Sequence, residues 1–390
     1  MDWLLGSGEL EAPRLRAVSI GLAAILVGGA ALVLVGPRGR GMARVHAAGL
    51  SLVLLGPLAG EGVLRLGLGL DLGELRDPKR YADPYADDDY WRLKRGWASV
   101  VRTQPDPELG WSTPVLPRNP LGIIRPRGYE PRRERVLLCF GDSFMAGATP
   151  HPHKIPDLLE ERLDGWTAYN YGVGGYGVGQ MLLRFRRAAP DFVEPVVVVG
   201  VMTRDLDRSI LSCRGSPKPR FRLRAGELVV DAPAPSESEA TWDGEHPPEL
   251  RSYLVALLVR RARRAREKER GDDGLYRAEE KRELNRALLE AFTREAREQG
   301  LTLLFVTFPP SRQLRDGGWR EDFLARPFEE LEVPWVNGRQ ALRADMRDSG
   351  RPPGEYFLPD NHPGELGNRV LADAIAARLE RMFRKGARKP

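Results

Sequence analysis

The sequence predicts an α/β protein with a doubly wound parallel sheet of five strands, preceded by two membrane-spanning helices. From residue 135 onward, short apolar runs alternate with longer helical patterns, which is typical of a parallel sheet. Ahead of that region, the first 70 residues contain two apolar stretches. A length of 390 residues is compatible with one large domain plus a smaller part.

The composition excludes several classes of protein. Charged residues make up 29% of the chain and hydrophobic residues 42%, so most of it should be globular rather than disordered. The net charge is +6, but the arginines are spread through segments that also carry glutamate, so we expect no nucleic-acid partner. The two cysteines, Cys139 and Cys213, lie far apart, which predicts neither a disulfide framework nor a closed zinc site.

The first apolar stretch, residues 18–35, contains no charged residue. At about 1.5 Å per residue it nearly crosses a hydrocarbon core of about 30 Å, which predicts a transmembrane helix. A signal peptide is the alternative. It is disfavoured because no small-residue cleavage site precedes the basic loop and because a second apolar stretch follows.

The second apolar stretch, residues 46–66, predicts another spanning helix. Only residues 47–59 are cleanly apolar, and we expect Glu61 and Arg65 to be solvated where the helix reaches the interface. An amphipathic helix lying on the membrane surface is the alternative. The lipid bilayer is therefore an expected partner of residues 1–70.

Arginines in the loop between the two stretches favour a cytoplasmic loop, so both chain ends and the large domain are expected outside the cytoplasm. Arg14 and Arg16, which precede the first stretch, oppose this orientation. Residues 71–130 predict a connector that packs on the next domain through Trp91, Trp97 and Trp111.

The large domain is expected over residues 131–390. The predicted strands are Val136–Phe140, Trp166–Tyr171, Pro195–Gly200, Leu301–Phe308 and Pro334–Val336. The predicted helices cover residues 155–163, 180–189, 249–270, 275–299 and 366–384. Residues 214–299 are interpreted as an insertion, beginning with turns rich in Pro and Ser and ending in two charged helices.

A serine follows the first strand directly, in the run Gly141–Phe144. Ligand sites in such sheets lie beyond the carboxyl ends of the strands, and backbone N–H groups at a helix start favour developing negative charge. Ser143 is therefore a candidate nucleophile that needs a nearby base. The alternative is that Asp142 or Ser143 only caps the helix.

The five histidines provide one good candidate for that base. His362 has a carboxylate two residues away, Asp360, in a turn bracketed by prolines. An aspartate at that spacing can accept the Nδ1 proton of the imidazole and orient the ring, although a solvated turn is the alternative. The other histidines lie in the second apolar stretch, among prolines after Ser143 and in the insertion: His46, His151, His153 and His246.

The glycine-rich turn after the second strand, Gly172–Gly177, can donate a backbone N–H from Gly175 to an oxyanion, because glycine permits close approach. The same run formally matches the dinucleotide fingerprint G-x-G-x-x-G. That motif belongs after the first strand, with an acidic residue at the end of the next one. Here it follows the second strand, and the acidic residue, Asp205, comes later than the fingerprint requires.

Together, these segments resemble the SGNH/GDSL hydrolase family. Residues 107–111 and 119–123 resemble the region ahead of the domain in its membrane-anchored bacterial members. Gly141–Phe144 matches the first block, residues 170–180 resemble the second, and Asp360–Pro363 matches the last. The resemblance covers residues 131–390. It implies a flavodoxin-like three-layer α/β/α domain, acyl-ester chemistry without a cofactor, Ser143, Asp360 and His362 as the triad, and Ser143 and Gly175 as oxyanion donors.

The third block departs from the family. The family places an asparagine there whose side chain donates to the oxyanion, whereas this chain has Thr203-Arg204-Asp205. Arg204 could donate instead. Loss of one such donor typically lowers the rate by about 10²–10³-fold, so reduced activity or an unusual substrate is expected.

Three functions follow from the sequence. The first is a membrane-anchored serine esterase acting on an acyl ester, for example one carried by a cell-envelope carbohydrate. The second passes the acyl group to a sugar hydroxyl of a polysaccharide. The third is a non-catalytic protein that keeps the fold for binding or assembly, as the missing asparagine would allow.

Overall fold

A computed structural model describes residues 41, 55–66, 104–115, 119, 121–125, 135–210, 218–233, 252, 254–255, 258 and 279–386. The chain divides into two compact units. One comprises Met1–Ser99 with Ser236–Leu275, and the other comprises Val100–Pro235 with Tyr276–Pro390. The second unit contains the sheet.

The strands of the second unit are β1 (Gln104–Asp106), β2 (Gly110–Ser112), β3 (Arg135–Gly141), β4 (Trp166–Asn170), β5 (Val196–Met202), β6 (Arg220–Arg224), β7 (Glu227–Asp231), β8 (Thr302–Phe308) and β9 (Trp335–Asn337). Its α-helices are α1 (Ser143–Ala146), α2 (Ile155–Arg162), α3 (Val178–Ala188), α4 (Asp205–Ser209), α5 (Glu279–Glu298), α6 (Trp319–Glu330), α7 (Gly338–Ser349) and α8 (Glu365–Gly386).

The central sheet has five parallel strands in the order β4-β3-β5-β8-β9, which confirms the predicted parallel sheet. The chain runs from β3 to β4 on one side and then crosses to β5 on the other side of β3. The strand order therefore reverses between β3 and β5. The carboxyl ends of these two strands form the crevice in which open α/β sheets bind ligands.

One face of the sheet is covered by α2, α7 and α8. Leu137 and Cys139 of β3 point to this face and belong to one core cluster with Ile155 of α2 and Leu371 and Ile375 of α8. All five side chains are fully buried. Because β3 is buried on both faces, its sequence is almost continuously apolar, which is why the strand was recognisable from the sequence.

The opposite face carries a chain of aromatic side chains. Phe140 of β3 packs edge-on against Phe185 of α3 (ring centroids 5.9 Å apart), which stacks on Phe292 of α5 at 4.8 Å. Phe292 contacts Phe305 of β8, and Phe305 stacks on Phe328 of α6 at 4.6 Å. Such pairs add to the stability gained from area burial. Helices on both faces make the three-layer arrangement that the resemblance implied.

Helix α5 corrects one interpretation of the sequence, which placed it at the end of the insertion 214–299. Leu288, Leu289 and Phe292 of α5 are fully buried, and the helix packs on β8 and α3. It is therefore part of the helical layer that packs on the sheet rather than part of a solvent-exposed insertion. The helix has an apolar stripe at helical spacing, which was not recognised in the sequence because charged residues surround it.

Several further elements were not predicted, namely α4, α6, α7 and the hairpins β1–β2 and β6–β7. Helix α6 has Pro327 in its interior, and an internal proline predicts the end of a helix when only the sequence is considered. Its folding depends on burial of Leu324 and Phe328, which lie four residues apart on one face. The β6–β7 hairpin lies where the sequence predicted only turns.

No helix in the described part of the chain is long and apolar enough to cross a membrane. The first predicted span, residues 18–35, and residues 46–54 of the second lie outside the described residues. Residues 55–66 form a helix in which Glu61 and Arg65 are 2% and 3% exposed and 2.8 Å apart. The expectation that these two side chains are solvated was therefore wrong. Their ion pair and a hydrogen bond from Ser252 Oγ to Glu61 compensate for the cost of their burial.

Candidate active site

Ser143 begins the one-turn helix α1 directly after β3, at the carboxyl end of the strand beside the switch point. Asp142 caps this helix, since its Oδ1 accepts the backbone N–H of Phe144 at 2.8 Å. The capping interpretation is therefore correct for Asp142. The hydroxyl of Ser143 is half-buried, and its Oγ lies 3.4 Å from Oδ2 of Asp142. This distance is at the long limit for a hydrogen bond, so the hydroxyl can engage a nearer partner.

That partner is His362. Its Nε2 lies 2.9 Å from Oγ of Ser143, which is hydrogen-bond distance. The ring of His362 also packs against Phe144, with ring centroids 5.3 Å apart. The structure thus brings together the predicted nucleophile and the predicted base.

The loop that carries His362 is closed by its own backbone. The backbone N–H of Leu358 donates to the carbonyl of His362 at 2.7 Å, and Phe357 pairs with Pro363. Asn361, between the two predicted triad residues, has φ of +70°. Asparagine tolerates this left-handed conformation better than other residues with a side chain, apart from aspartate. Its Oδ1 accepts a hydrogen bond from the hydroxyl of Ser311, which follows β8.

Asp360 lies beside His362. Its Oδ2 is 3.1 Å from Nδ1 of the imidazole, and its Oδ1 accepts the backbone N–H of His362 at 3.1 Å. The first contact is an ion-pair approach that falls short of hydrogen-bond geometry. The backbone N–H and the ring of His362 lower the pKa of the carboxyl below its ordinary value of 3.8. The side chain is 61% exposed, so solvent weakens its interaction with the imidazole.

The glycine-rich turn lies against the nucleophile. A Cβ added to Gly172 would come within 2.4 Å of the backbone nitrogen of Ala146, so only glycine fits at this position. A Cβ on Gly174 would be 3.9 Å from Cβ of Ser143. Gly175 has φ of +86°, which glycine adopts without strain. The predicted oxyanion glycine therefore lies in a turn that contacts α1.

Arg208 is a residue of this region that the sequence analysis missed. Its Nη1 lies 2.6 Å from Oδ2 of Asp142, 2.6 Å from Oδ1 of Asp205 and 3.3 Å from the carbonyl of Tyr176. Arg208 is 8% exposed and both carboxylates are fully buried. Burial disfavours the guanidinium charge, but the carboxylates of Asp205 and Asp142 outweigh it and raise the pKa of Arg208. One cation thus connects α1, the glycine turn and α4.

The third block, Thr203-Arg204-Asp205, follows the carboxyl end of β5 and leads into α4. The Arg204 side chain is exposed, and within the described residues no hydrogen bond joins it to Ser143, Gly175 or His362. Thr203 is buried and donates its hydroxyl proton to Oε1 of Gln313 at 2.8 Å. The suggestion that Arg204 replaces the missing asparagine remains a prediction.

Two other histidines follow Ser143, and each pairs with a carboxylate. Nδ1 of His151 lies 2.7 Å from Oδ2 of Asp157, and Nε2 of His153 lies 3.8 Å from Oε2 of Glu365. Within the described ranges, no three histidine, cysteine or acidic residues cluster in a way that could hold a metal ion. His46 and His246 lie outside those ranges.

Comparison with solved structures finds GDSL-type hydrolases. The chain is similar to a member of the lipolytic protein G-D-S-L family from Veillonella parvula, with 15% identity over 63% of this chain and 99% of that one and a TM-score of 0.37. It is also similar to an acetylxylan esterase from Geobacillus stearothermophilus, with 14% identity, coverage of 63% and 94%, and a TM-score of 0.36. No protein-family profile and no curated protein matches the chain.

Proposed function

We propose that this chain is a serine esterase of the SGNH/GDSL type, which hydrolyses acyl esters through Ser143 and His362. The observation that carries the proposal is the 2.9 Å contact between Ser143 Oγ and His362 Nε2. A serine hydroxyl is a weak nucleophile until a base within hydrogen-bond reach takes its proton. Imidazole is the side chain best suited to that task near neutral pH.

The reaction has two steps, acylation and deacylation of Ser143, and the same base serves in both. Oγ of Ser143 bonds to the acyl carbon while its proton passes to Nε2 of His362, and negative charge develops on the former carbonyl oxygen. Collapse of this tetrahedral intermediate breaks the bond to the alcohol, which leaves with the proton held on Nε2. Water then attacks the acyl-enzyme with the same base, the carboxylic acid departs and the hydroxyl of Ser143 is restored.

Asp360 stabilises the imidazolium that forms in each half-reaction. Its carboxylate is 3.1 Å from Nδ1 of His362, and its lowered pKa keeps it ionised in mild acid. The backbone N–H groups of Ser143 and Gly175 receive the oxyanion. These are the roles that the resemblance implied for these residues.

A more specific proposal concerns the location of the enzyme relative to the membrane and its class of substrate. The uncharged stretch 18–35 and the arginines after it support a membrane anchor with the esterase domain outside the cytoplasm. An enzyme in that position would meet acyl esters of cell-envelope carbohydrates, and we propose these as the substrate class. No cofactor takes part in the proposed reaction.

The test uses the full chain in detergent micelles with 4-nitrophenyl acetate and a fluorophosphonate probe. We expect the wild-type chain to release nitrophenol and to be labelled at Ser143. The Ser143→Ala variant should lose at least about 10³-fold in kcat, whereas Ser349→Ala, which changes the exposed last residue of α7, should match the wild type. Equal turnover by Ser143→Ala would refute the mechanism.

Two outcomes of the same assay point to the other candidate functions. When an acceptor oligosaccharide is added, release of free acetate alone supports hydrolysis, whereas acetylated oligosaccharide would assign the chain to the acyltransferases. A wild-type chain that neither turns over ester nor takes up the probe would be a binding or assembly protein.

A further inference from the structure

Trp111, in the connector ahead of the domain, reaches the glycine turn. Its indole Nε1–H donates to the carbonyl oxygen of Gly174 at 3.1 Å, across 63 residues of sequence. Trp111 is 4% exposed. Its ring packs edge-on against Tyr176, with centroids 5.7 Å apart, and its own carbonyl accepts the hydroxyl proton of Tyr176 at 2.5 Å.

The carbonyl that Trp111 binds belongs to the same peptide unit as the N–H of Gly175. A trans peptide is planar, with its C=O and N–H pointing in opposite directions. A hydrogen bond that fixes the carbonyl of Gly174 therefore fixes the direction of the Gly175 N–H, on the side away from the indole. Without that bond, the two glycines that flank this peptide would let its plane rotate at little cost.

We propose that Trp111 is a positioning residue that orients the oxyanion-binding N–H of Gly175 through the Gly174–Gly175 peptide. This inference depends on the esterase function proposed above. The hydrogen bond at the carbonyl also polarises the peptide and makes its N–H a stronger donor. Since the third block lacks the usual asparagine, the N–H of Gly175 supports a larger share of the oxyanion charge.

The hairpin that carries Trp111 is itself fixed to the helix that follows the glycine turn. Gln180 of α3 donates its side-chain N–H to the carbonyl of Leu109 at 2.8 Å. Arg187, near the end of α3, forms ion pairs with Asp106 and Glu108 of the hairpin. The indole therefore has a fixed position before substrate binds, which is what electrostatic preorganisation requires.

The experiment removes the indole N–H in two variants, one of which keeps the bicyclic ring shape. In the full chain, Trp111 is replaced by phenylalanine and, in a second variant, by 3-benzothienylalanine, in which sulfur takes the place of the N–H in a ring of nearly the same shape. Trp335→Phe, in β9, is the control. Each protein is assayed for kcat and KM with 4-nitrophenyl acetate. Inhibition by a boronic acid, whose tetrahedral adduct with Ser143 places an oxygen in the oxyanion position, is measured in parallel.

We expect both Trp111 variants to lose about ten-fold in kcat and to bind the boronic acid about ten-fold more weakly, with KM unchanged. The control should keep all three values. Benzothienylalanine at position 111 with wild-type kcat and boronic acid affinity would overturn the inference, as would a rise in KM alone. If turnover by the wild-type chain did not depend on Ser143, the proposed function would be overturned and this inference with it. If turnover depended on Ser143 but not on the indole N–H, only this inference would fail.

Discussion

The hydroxyl of Ser143 and the imidazole of His362 are 219 residues apart in the chain and 2.9 Å apart in space. Ser143 follows β3 at the switch point of the sheet, whereas His362 lies in the loop that leads into α8. Helix α8 packs against α2 on one face of the sheet. The shared core of that face therefore fixes the distance between the two groups.

The triad geometry predicts unequal effects of its two supporting residues. His362→Ala should lower kcat by about 10⁴-fold, because the base is lost. Asp360→Asn should cost less, about 10²-fold, because Asp360 is mostly exposed and its contact with Nδ1 falls short of hydrogen-bond geometry. Steady-state kinetics of both variants would check this order. Equal losses would show that Asp360 is as essential as the imidazole.

A pH profile separates these roles further. The pKa of Asp360 is lowered from 3.8 by the backbone N–H and ring of His362, so the carboxylate is ionised at every pH above that value. The stabilising charge is present above the ordinary pKa and is lost only as the pH falls through the lower value of the folded protein. The ratio of the wild-type rate to the Asp360→Asn rate should therefore be constant from about pH 8 upward, where an ordinary imidazole is already neutral and the carboxylate is fully ionised. A ratio that changes with pH in that range would contradict this assignment.

Arg208 should be essential for stability. Arg208→Met would leave the carboxylates of Asp142 and Asp205 buried without their cation, and we expect the free energy of unfolding to fall by about 3–5 kcal/mol. Arg208→Lys keeps the charge, but its single ammonium cannot reproduce the geometry of the guanidinium, so it should recover part of the loss. Urea unfolding of the full chain, followed by tryptophan fluorescence, measures the change.

Arg204→Met is the matched control for that experiment, since Arg204 precedes the same helix and is exposed. Its unfolding free energy should change by less than about 0.5 kcal/mol. The same variant tests the predicted oxyanion role of Arg204. Because its side chain is exposed, we expect kcat to be unchanged. A loss of about 10²-fold or more would instead place the guanidinium in the oxyanion hole.

Gly172→Ala tests the contact between the glycine turn and the nucleophile helix. The added Cβ would come within 2.4 Å of the backbone nitrogen of Ala146, so α1 or the turn must shift. We expect a loss of about 1–3 kcal/mol in stability together with a lower kcat. Gly354→Ala places a Cβ where no atom lies within 4 Å and should leave both quantities unchanged. Wild-type kcat in Gly172→Ala would show that the site tolerates movement of α1.

The sequence alone predicted the parallel sheet and also Ser143 and His362, the pair that the structure brings together. Strands such as β3, β5 and β8 are buried on both faces, so each appears as a short apolar run whatever packs on it. Ser143, Gly175 and His362 are recognisable because the residue types that suit acyl transfer follow predicted elements. Helix α6 was not predicted, because burial overrides the effect of its internal proline.

Only the tertiary structure decided which charged and polar side chains meet. Arg208 is one arginine among 60 basic residues, and nothing in its neighbourhood of sequence shows that Asp142 lies 2.6 Å away. Trp111 is likewise one of eight tryptophans, and the sequence does not show that its indole donates a hydrogen bond to Gly174. Apolar periodicity is a local property that sequence records directly. Hydrogen bonds and ion pairs depend on ångström-scale distances between segments, and those distances exist only after the layers have packed.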